Sequence, residues 1–390
     1  MELSHLEIRD FRNMTEVRLT PGRRFNVVSG MNGQGKTNLL EAVYVLGAVK
    51  SLRAQKNGEL IRWGASKAVV SGEVEHGGHV RQARVEVGGN GKRVYLNDLV
   101  VRSLTDFFGT LNCVVFAPDD LMMLKGGPSE RRRFLDRAVF NARASFFHDA
   151  QAYEAVLKQR NALLKQPNVH SQRDLLEVYD EQLAQYGSVV VRRRLEYLRE
   201  FQPIFLDTFV AIFSGGSADE ALLGAEVSRT AAMGYVAEWL GGQPLRLVEG
   251  VVLPELEGLR AALAAGLRSS IGDDLRRGFT GMGPHRDDLA LTLLDRDARS
   301  FASQGQMRAM VLAMKITEIR VLTERFGYTP VLLLDDVSSE LDHHRNRYLF
   351  EMLGKHPGQV FITTTHRDHI KLYEDVTAFE VHGGTVRQVE

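Results

Sequence analysis

Apolar and polar positions alternate along the early part of the chain and then change period twice. Leu6-Glu7-Ile8 and Val17-Arg18-Leu19 alternate as half-buried strands do. Phe25-Asn26-Val27-Val28 predicts a further strand, and Leu39-Leu40-Glu41-Ala42-Val43-Tyr44-Val45-Leu46 a helix. Val69 to Glu75, Val80 to Val87 and Arg93 to Asn97 are separated by Gly77-Gly78 and Gly88-Gly89, which predicts a meandering antiparallel sheet. From Gly126-Gly127-Pro128-Ser129 to about Arg277 helical spacing dominates. Phe146, Ala150, Tyr153, Val156 and Leu157 form one stripe; Leu175, Leu176, Tyr179, Leu183 and Tyr186 start another that runs through Val190 and Leu195. Pro167 sits in the polar break between them, as an αα-hairpin needs. Pro203 and the glycines after Ser214 are expected to stop the second stripe, so an ordinary helical subdomain is favoured over a long coiled coil.

The last part returns to strands. Val331-Leu332-Leu333-Leu334 and Val360-Phe361-Ile362-Thr363-Thr364 are unbroken apolar runs of the kind buried in parallel sheets. Ala378 to Val389, around Gly383-Gly384, reads as a hairpin. A length of 390 residues implies two or three domains. The expected fold is α/β: a phosphate-loop ATPase lobe of mixed sheets and helices, split between the two ends of the chain, with a mainly helical lobe inserted. The expected segments are 1–125 (first part of the ATPase lobe), 126–300 (helical insert) and 301–390 (return to the ATPase lobe).

Composition narrows the setting more than the chemistry. The chain is 44% hydrophobic and 25% charged, with no apolar run near the roughly 20 residues a bilayer span needs. The start, Met1-Glu2-Leu3-Ser4-His5, lacks a basic segment and apolar core, and the single Cys113 allows no internal disulfide. A cytoplasmic protein is expected, with Cys113 a small buried residue in the strand signal Leu111 to Phe116. Lys+Arg and Asp+Glu balance at 49 each, which by itself counts against nucleic-acid binding unless the charge is segregated onto one face.

The chemistry starts at Gly30-Met31-Asn32-Gly33-Gln34-Gly35-Lys36-Thr37, a complete phosphate-loop motif between a strand and a helix. Its glycines let backbone N–H groups curl round phosphate, and the new helix points its positive end at the anion. Lys36 is placed for the β- and γ-phosphates and the Thr37 hydroxyl for Mg²⁺, with Asn32 and Asn38 flanking. The strand Val331 to Leu334 ends in Asp335-Asp336. Paired with the loop, Asp335 suits Mg²⁺ and Asp336 suits the attacking water; the alternative is a solvated strand end. Ser338-Ser339-Glu340-Leu341-Asp342 follows, and His366 ends the next apolar strand. Upstream, Ser303-Gln304-Gly305-Gln306 opens a helix whose first N–H groups would bind an anion. One phosphate loop has no need of a second phosphate-binding helix start in the same copy. The economical explanation is a composite site, in which this turn caps the γ-phosphate held by another copy and ATP joins a two-fold dimer.

In this order these motifs resemble the ABC-type ATPases, and within them their SMC-related DNA-repair branch. Supporting segments are Leu6 to Asn13, Glu59 to Gly64, Phe116 to Leu121, Gly126 to Asp136 and Gly283-Pro284-His285-Arg286-Asp287-Asp288-Leu289. The resemblance implies Lys36 and Thr37 as the Walker A pair, Asp335 as the Walker B magnesium residue and Asp336 as the hydrolysis carboxylate. It implies Ser303 as the signature serine acting across the dimer, with Gln304, Gly305 and Gln306 beside it. Asp342 becomes the D-loop acid, His366 the switch histidine, and Arg12 a candidate phosphate contact. Two positions depart from the pattern. Asp336 stands where most relatives have Glu, which is one methylene longer, so slow turnover is expected. The Q-loop position carries Asp119-Asp120 instead of glutamine, with a possible Mg²⁺ role for either acid.

Candidate DNA contacts are Arg131-Arg132-Arg133 with Arg137, Lys50 and Arg53, and Arg192-Arg193-Arg194. A triple Arg covers most of a helix's circumference, so some are expected to pair with Glu130, Asp136 or Glu196. His343-His344 and His366-x-x-His369 lack the further ligands of a catalytic zinc, and solvated histidines are expected. The resulting expectation is an ATP-gated DNA-binding ATPase of recombinational repair with weak, DNA-dependent turnover. The resemblance implies action at single-strand gaps and duplex junctions, with RecR as partner and in support of RecA loading. The alternative is the ATPase subunit of an ABC membrane transporter; a P-loop GTPase is disfavoured because no N-K-x-D motif is present.

Overall fold

In the computed structural model, the early alternation becomes a six-stranded antiparallel sheet. Its strand order is Met14–Leu19, Glu2–Phe11, Lys67–His76, His79–Gly88, Gly91–Leu96 and Leu99–Val100. Register places Val17, Ile8, Val70, Val85 and Val94 in one row across five strands, all buried on the same face. Each such aliphatic is worth about 1.5–3 kcal/mol when fully removed from water, which makes a one-residue slip of any strand costly. The structure describes residues 1–54, 56–89, 91–214, 231–247, 250–336, 343–355, 358–365 and 375–389.

A second six-stranded sheet gathers segments from three distant parts of the chain. Its order is Thr385–Val389, Val376–His382, Phe25–Ser29, Val360–Thr364, Val331–Leu334 and Cys113–Phe116. Only the terminal hairpin is antiparallel; every other pairing is parallel. Val331–Leu334, Val360–Thr364 and Cys113–Phe116 are buried at every position, which is why they read as unbroken apolar runs. Cys113 is buried as expected, and burial pushes its thiol pKa up, so it is unreactive.

Between the two sheets runs the helix Lys36–Ala48, packed on strands of both. Nearly all of it is buried, so it has no polar face to present. The fit is close enough that a Cβ at Gly47 would collide with the Leu111 carbonyl. Gln359, itself buried, ties the layers through polar bonds: its amide accepts from Leu3 N–H at 2.8 Å and donates to Leu3 O at 2.9 Å and Gly22 O at 2.8 Å.

These elements form one of two compact units, Met1–Asp120 with Glu318–Glu390; the other is Leu121–Thr317. The division falls at 120/121 and 317/318, against expected boundaries at 125/126 and 300/301, and the helix Gln304–Phe326 crosses the second. Within the second unit, Phe146–Leu164 and Arg173–Ser214 form the expected αα-hairpin, joined by Leu256–Arg277. Arg160, with no exposure, bonds Asp180 at 2.6 Å and Asp274 at 2.7 Å, one carboxylate from each of the other two helices.

Two expectations are corrected here. Pro203 does not end its helix, which continues to Ser214. Pro203 lies on the exposed face, where solvent reaches the carbonyl it leaves unbonded. On the buried face Phe201, Phe205 and Phe209 stack with centroids 6.2 and 6.0 Å apart and carry the helix past it. The stretch up to Arg277 is also not wholly helical. A four-stranded sheet of order Leu245–Arg246, Ala232–Val236, Asp288–Leu293 and Arg296–Asp297 lies in this unit.

Buried polar groups knit that sheet to the helices. Asp287 accepts the Tyr235 hydroxyl at 2.6 Å and the Trp239 indole N–H at 2.9 Å. Burial pushes its carboxyl up to about 6, while burial pushes the neighbouring His285 down to about 4. The two oppose each other. As pH falls through about 6 towards 3.8, Asp287 takes its proton more readily folded than unfolded and adds stability. As pH falls from 6.5 towards about 4, His285 is protonated first in the unfolded chain and removes stability.

Two outcomes follow from this packing. Phe205→Ala lowers the urea-unfolding free energy by about 3–5 kcal/mol, the range for truncating a buried aromatic, whereas Pro203→Ala lowers it by none. In Asp287→Asn only the histidine remains, so its urea midpoint falls more steeply than the parent's between pH 6.5 and about 4.

Candidate nucleotide site

Parallel pairing sets the ends of three strands side by side: Thr364 faces Ser29, and Leu334 faces Ile362. Such carboxyl ends are where open α/β sheets receive ligands. From Ser29 the chain enters the phosphate loop and then the helix Lys36–Ala48. Gly33 and Gly35 have φ of 79° and 116°, and a Cβ on Gly35 would meet the Asn13 side chain at 2.7 Å. The loop is braced from outside. Asn13 donates to Gln34 O at 2.9 Å and accepts from the Asn38 amide at 2.8 Å. The turn of the terminal hairpin adds Gly383 N–H to Gln34 Oε1 at 2.7 Å and Gly384 N–H to Gln34 O at 3.0 Å.

Lys36 folds over this loop, its ammonium donating to Gly30 O at 2.6 Å and Met31 O at 3.0 Å. Burial lowers its pKa, and the nearby Asp336 and Asp335 act against that shift. At the helix start the Thr37 hydroxyl donates to Asp335 Oδ1 at 2.9 Å. The Thr363 hydroxyl donates to the same oxygen at 2.8 Å and accepts Asp336 N–H at 2.9 Å. Asp336 turns off the strand with φ 49°, the left-handed region a non-glycine residue rarely adopts. Loop, lysine, hydroxyl and carboxylate thus converge: an anion-binding cradle beside two hard oxygen ligands suited to Mg²⁺. Among the described residues no cluster of three His, Cys, Asp or Glu side chains forms a separate metal site.

Arg12 lies one residue from Asn13, but its guanidinium is engaged. It grips the buried Glu41 through Nε at 2.8 Å and Nη2 at 3.1 Å, and donates to Glu59 O at 2.9 Å. Arg53 shares that carboxylate at 3.3 Å and bonds Asn38 Oδ1 at 2.8 Å; Lys50 is exposed at the end of the same helix. Glu41 and Thr363 are the two residues that motif reading missed. Asp119 is exposed, and Asp120 accepts Ala117 N–H at 2.8 Å within its own turn. Asp342 and His366 lie outside the described residues, as do Ser338 to Leu341 and His369; so do the side chains of His343 and His344.

In the other unit, Ser303 and Gln306 cap the helix Gln304–Phe326 reciprocally. Ser303 N–H donates to Gln306 Oε1 at 2.7 Å, and Gln306 N–H to Ser303 Oγ at 3.2 Å. Ser303 and Gln304 are exposed. Of the arginines, Arg131 clasps Asp288 at 2.7 and 2.8 Å, and Arg133 meets Glu130 at 3.0 Å. Arg192 and Arg193 share Glu196 at 3.0 and 3.2 Å, and buried Arg194 clasps Asp136 at 2.7 and 2.9 Å. Three of these four carboxylates, Glu130, Glu196 and Asp136, are those anticipated; Asp288 is not. Among the described residues, Arg132 bonds the Asp287 carbonyl alone, at 2.7 Å.

Comparison with known proteins gives the same picture over the full length. A family model described as RecF/RecN/SMC N terminal domain matches residues 2–386. The DNA replication and repair protein RecF of Myxococcus xanthus (strain DK1622) is 41% identical over 388 residues, covering 99% of this chain and 97% of that one. The protein of the same name from Geotalea uraniireducens (strain Rf4) is 38% identical over 395 residues, covering 99% and 100%. Among solved structures, the recombination mediator protein RecF-ATP in the RecFOR pathway is 30% identical, with a TM-score of 0.82 over 100% of this chain and 99% of that one. An Smc head domain from Pyrococcus furiosus, 16% identical with a TM-score of 0.52, shares the fold.

The double role of the Thr363 hydroxyl generates a test. Thr363→Val keeps the side-chain shape and removes both of its bonds. Residues that orient a metal ligand cost about 10- to 100-fold in metal affinity when lost, so Mg²⁺ titrations of nucleotide binding should shift by that factor.

Proposed function

The chain belongs to the RecF/RecN/SMC family of ATP-binding ATPases, and on that premise we propose that it is an ATP-gated DNA-binding protein of recombinational repair. ATP binding joins two copies on DNA, and slow hydrolysis releases them. The observation that carries this reading is the exposed, self-capped Ser303 turn. The cap engages the N–H groups of Ser303 and Gln306; the other N–H groups of a helix start, with a neighbouring serine, make an anion receptor. The phosphate loop of its own chain already forms one complete cradle, so the turn is read as the lid of a partner copy's γ-phosphate.

The residues divide the work. Lys36 exchanges its two carbonyl contacts for the β- and γ-phosphate oxygens. Thr37 and Asp335 would hold Mg²⁺, which would supply positive charge to offset that building on the phosphates. Asp336 orients the attacking water and accepts its proton. Its short side chain sets that water less well than a glutamate would, which makes turnover slow and favours a switch over a motor. His366 and Asp342 are assigned to the γ-phosphate and the dimer seam by resemblance alone. Arg12 and Arg53 stand beside the loop as phosphate or DNA contacts, available when they share or leave Glu41.

Partners follow from the relatives. The solved relatives are named for the RecFOR pathway, which supports RecR as partner and gapped or junction DNA as substrate. The transporter alternative gains no support, since the curated relatives that match along the whole chain are repair proteins. No helix among the described residues is long and apolar enough to cross a membrane.

Light scattering with a non-hydrolysable ATP analogue tests the reading. The native chain should show dimer mass only with the analogue, and Ser303→Arg should stay monomeric while still binding it. Dimers of equal stability in both, or monomers throughout, would remove the composite site.

A further inference from the structure

Gly283-Pro284-His285-Arg286-Asp287-Asp288-Leu289 and Ser129-Glu130-Arg131-Arg132-Arg133 carry no part of the nucleotide chemistry, yet the fold brings them together inside the unit Leu121–Thr317. Ser129, Arg132 and Arg133 from one segment and Pro284 and His285 from the other line a cleft of about 320 Å³, with Tyr153, Glu154 and Arg194 among its other walls. The cleft is not a featureless surface dip. Two of its lining residues, Arg194 and Asp136, belong to a buried network that continues through Tyr235 to Asp287. Its side wall is Tyr153, whose hydroxyl lies 2.6 Å from His285 Nδ1, with His285 Nε2 3.0 Å from Thr280 O.

Charge is distributed unevenly there. Arg194 is neutralised by Asp136, Arg133 by Glu130, and Arg131, just behind, by Asp288. Arg132 is the exception. Its guanidinium is half-buried, gives one N–H to the Asp287 carbonyl, and has no carboxylate within ion-pairing distance among the described residues. Burial lowers its pKa and Arg194 lowers it further by like-charge repulsion, while Asp288, Asp136 and Asp287 act against that shift. The imidazole beside it is held neutral by burial, so it supplies no competing charge. A cation kept partly dry, with several donors unused, is the group an incoming anion completes. Ser129, exposed in the first turn of the helix Pro128–Ala142, adds a hydroxyl at the same rim.

We propose that this cleft seats one phosphate group of a DNA backbone, with Arg132 as its ligand and Ser129 at its edge. The proposal rests on the DNA-binding reading and narrows it: the contact made by the arginine triple comes from Arg132, while Arg131 and Arg133 are occupied by carboxylates. Glu154, an exposed lining residue with no ion-pair partner among the described residues, opposes entry of the phosphate and limits affinity.

Salt dependence of DNA binding reads the site directly, because each phosphate neutralised adds about 0.9 to the slope of log K against log salt. The experiment uses the full chain, a duplex DNA and a non-hydrolysable ATP analogue. Arg132→Gln should lower the slope by about 0.9 for each copy engaged, leave analogue binding unchanged, and weaken all DNA sequences equally. Arg132→Lys should retain the slope, and Glu154→Gln should raise affinity at low salt. If Arg132→Gln proves unstable, the Lys and Glu154 variants carry the test. An unchanged slope in Arg132→Gln, or no gain in Glu154→Gln, while the native chain binds DNA, overturns this site and leaves the parent reading standing. A native chain indifferent to duplex DNA overturns the parent reading itself. Inorganic phosphate protecting the native chain but not Arg132→Gln, with DNA binding identical in both, assigns the cleft to free phosphate and also overturns the proposal.

Discussion

One carboxylate oxygen, Asp335 Oδ1, receives hydroxyl protons from two other elements, Thr37 at 2.9 Å and Thr363 at 2.8 Å. Hydrogen bonds to a charged acceptor are worth about 1.5–3 kcal/mol each, so this knot fixes two strand ends and a helix start relative to one another. Without it the phosphate loop and the acidic strand would be two separate motifs. With it, the oxygens that suit a divalent cation stand beside the cradle that suits a phosphate. Thr363 does a second thing by accepting Asp336 N–H, which holds that residue in its left-handed turn. The side chain proposed for the water is therefore aimed by the same hydroxyl that steadies the oxygen proposed for Mg²⁺.

The knot is possible only because distant segments share one sheet, and burial of the helix Lys36–Ala48 enforces that sharing. An apolar helix with no polar face needs a wall on each side. The antiparallel sheet supplies one wall from the first hundred residues; the parallel sheet supplies the other, largely from residues beyond 330. Gln359 stitches the two with three bonds to Leu3 and Gly22. The helical insert between these segments is free to vary in size, because the ends it joins are held by the core and not by the insert. Its last helix start, with Ser303, belongs to the inserted unit, while that helix runs on into the nucleotide-bearing one.

What could be read from the chain beforehand divides along physical lines. The phosphate loop, the acidic strand and the antiparallel meander were legible because each depends on local pattern: glycine spacing, an apolar run, a period of two. The course of the helix through Pro203 was not, because three phenylalanines at helical spacing outweigh a proline only when the proline faces solvent. Asp288-Leu289-Ala290-Leu291-Thr292-Leu293 alternates cleanly and was legible in principle; its neighbour Ala232–Val236, short and glycine-containing, is a strand by virtue of its partners. Glu41 was hidden inside an apolar helical stripe, and Thr363 inside an apolar strand. Nothing in one dimension says that a buried glutamate faces two arginines, or that a strand hydroxyl faces the neighbouring strand's aspartate.

The arginines carry the remaining argument. Six stand in two triplets, and five of them are spent on protein carboxylates. With 49 basic and 49 acidic residues in all, one copy has little positive charge left for a polyanion. On the proposed reading this scarcity is what makes nucleotide gating effective. If one copy neutralises only a few phosphates, its salt-screened affinity is low, and it leaves DNA readily. Joining two copies adds their contacts on one duplex, and the free energies sum while the affinities multiply. A chain rich in free lysine and arginine would cling to DNA as a monomer and would have no use for ATP; a nearly neutral one must pair to hold on.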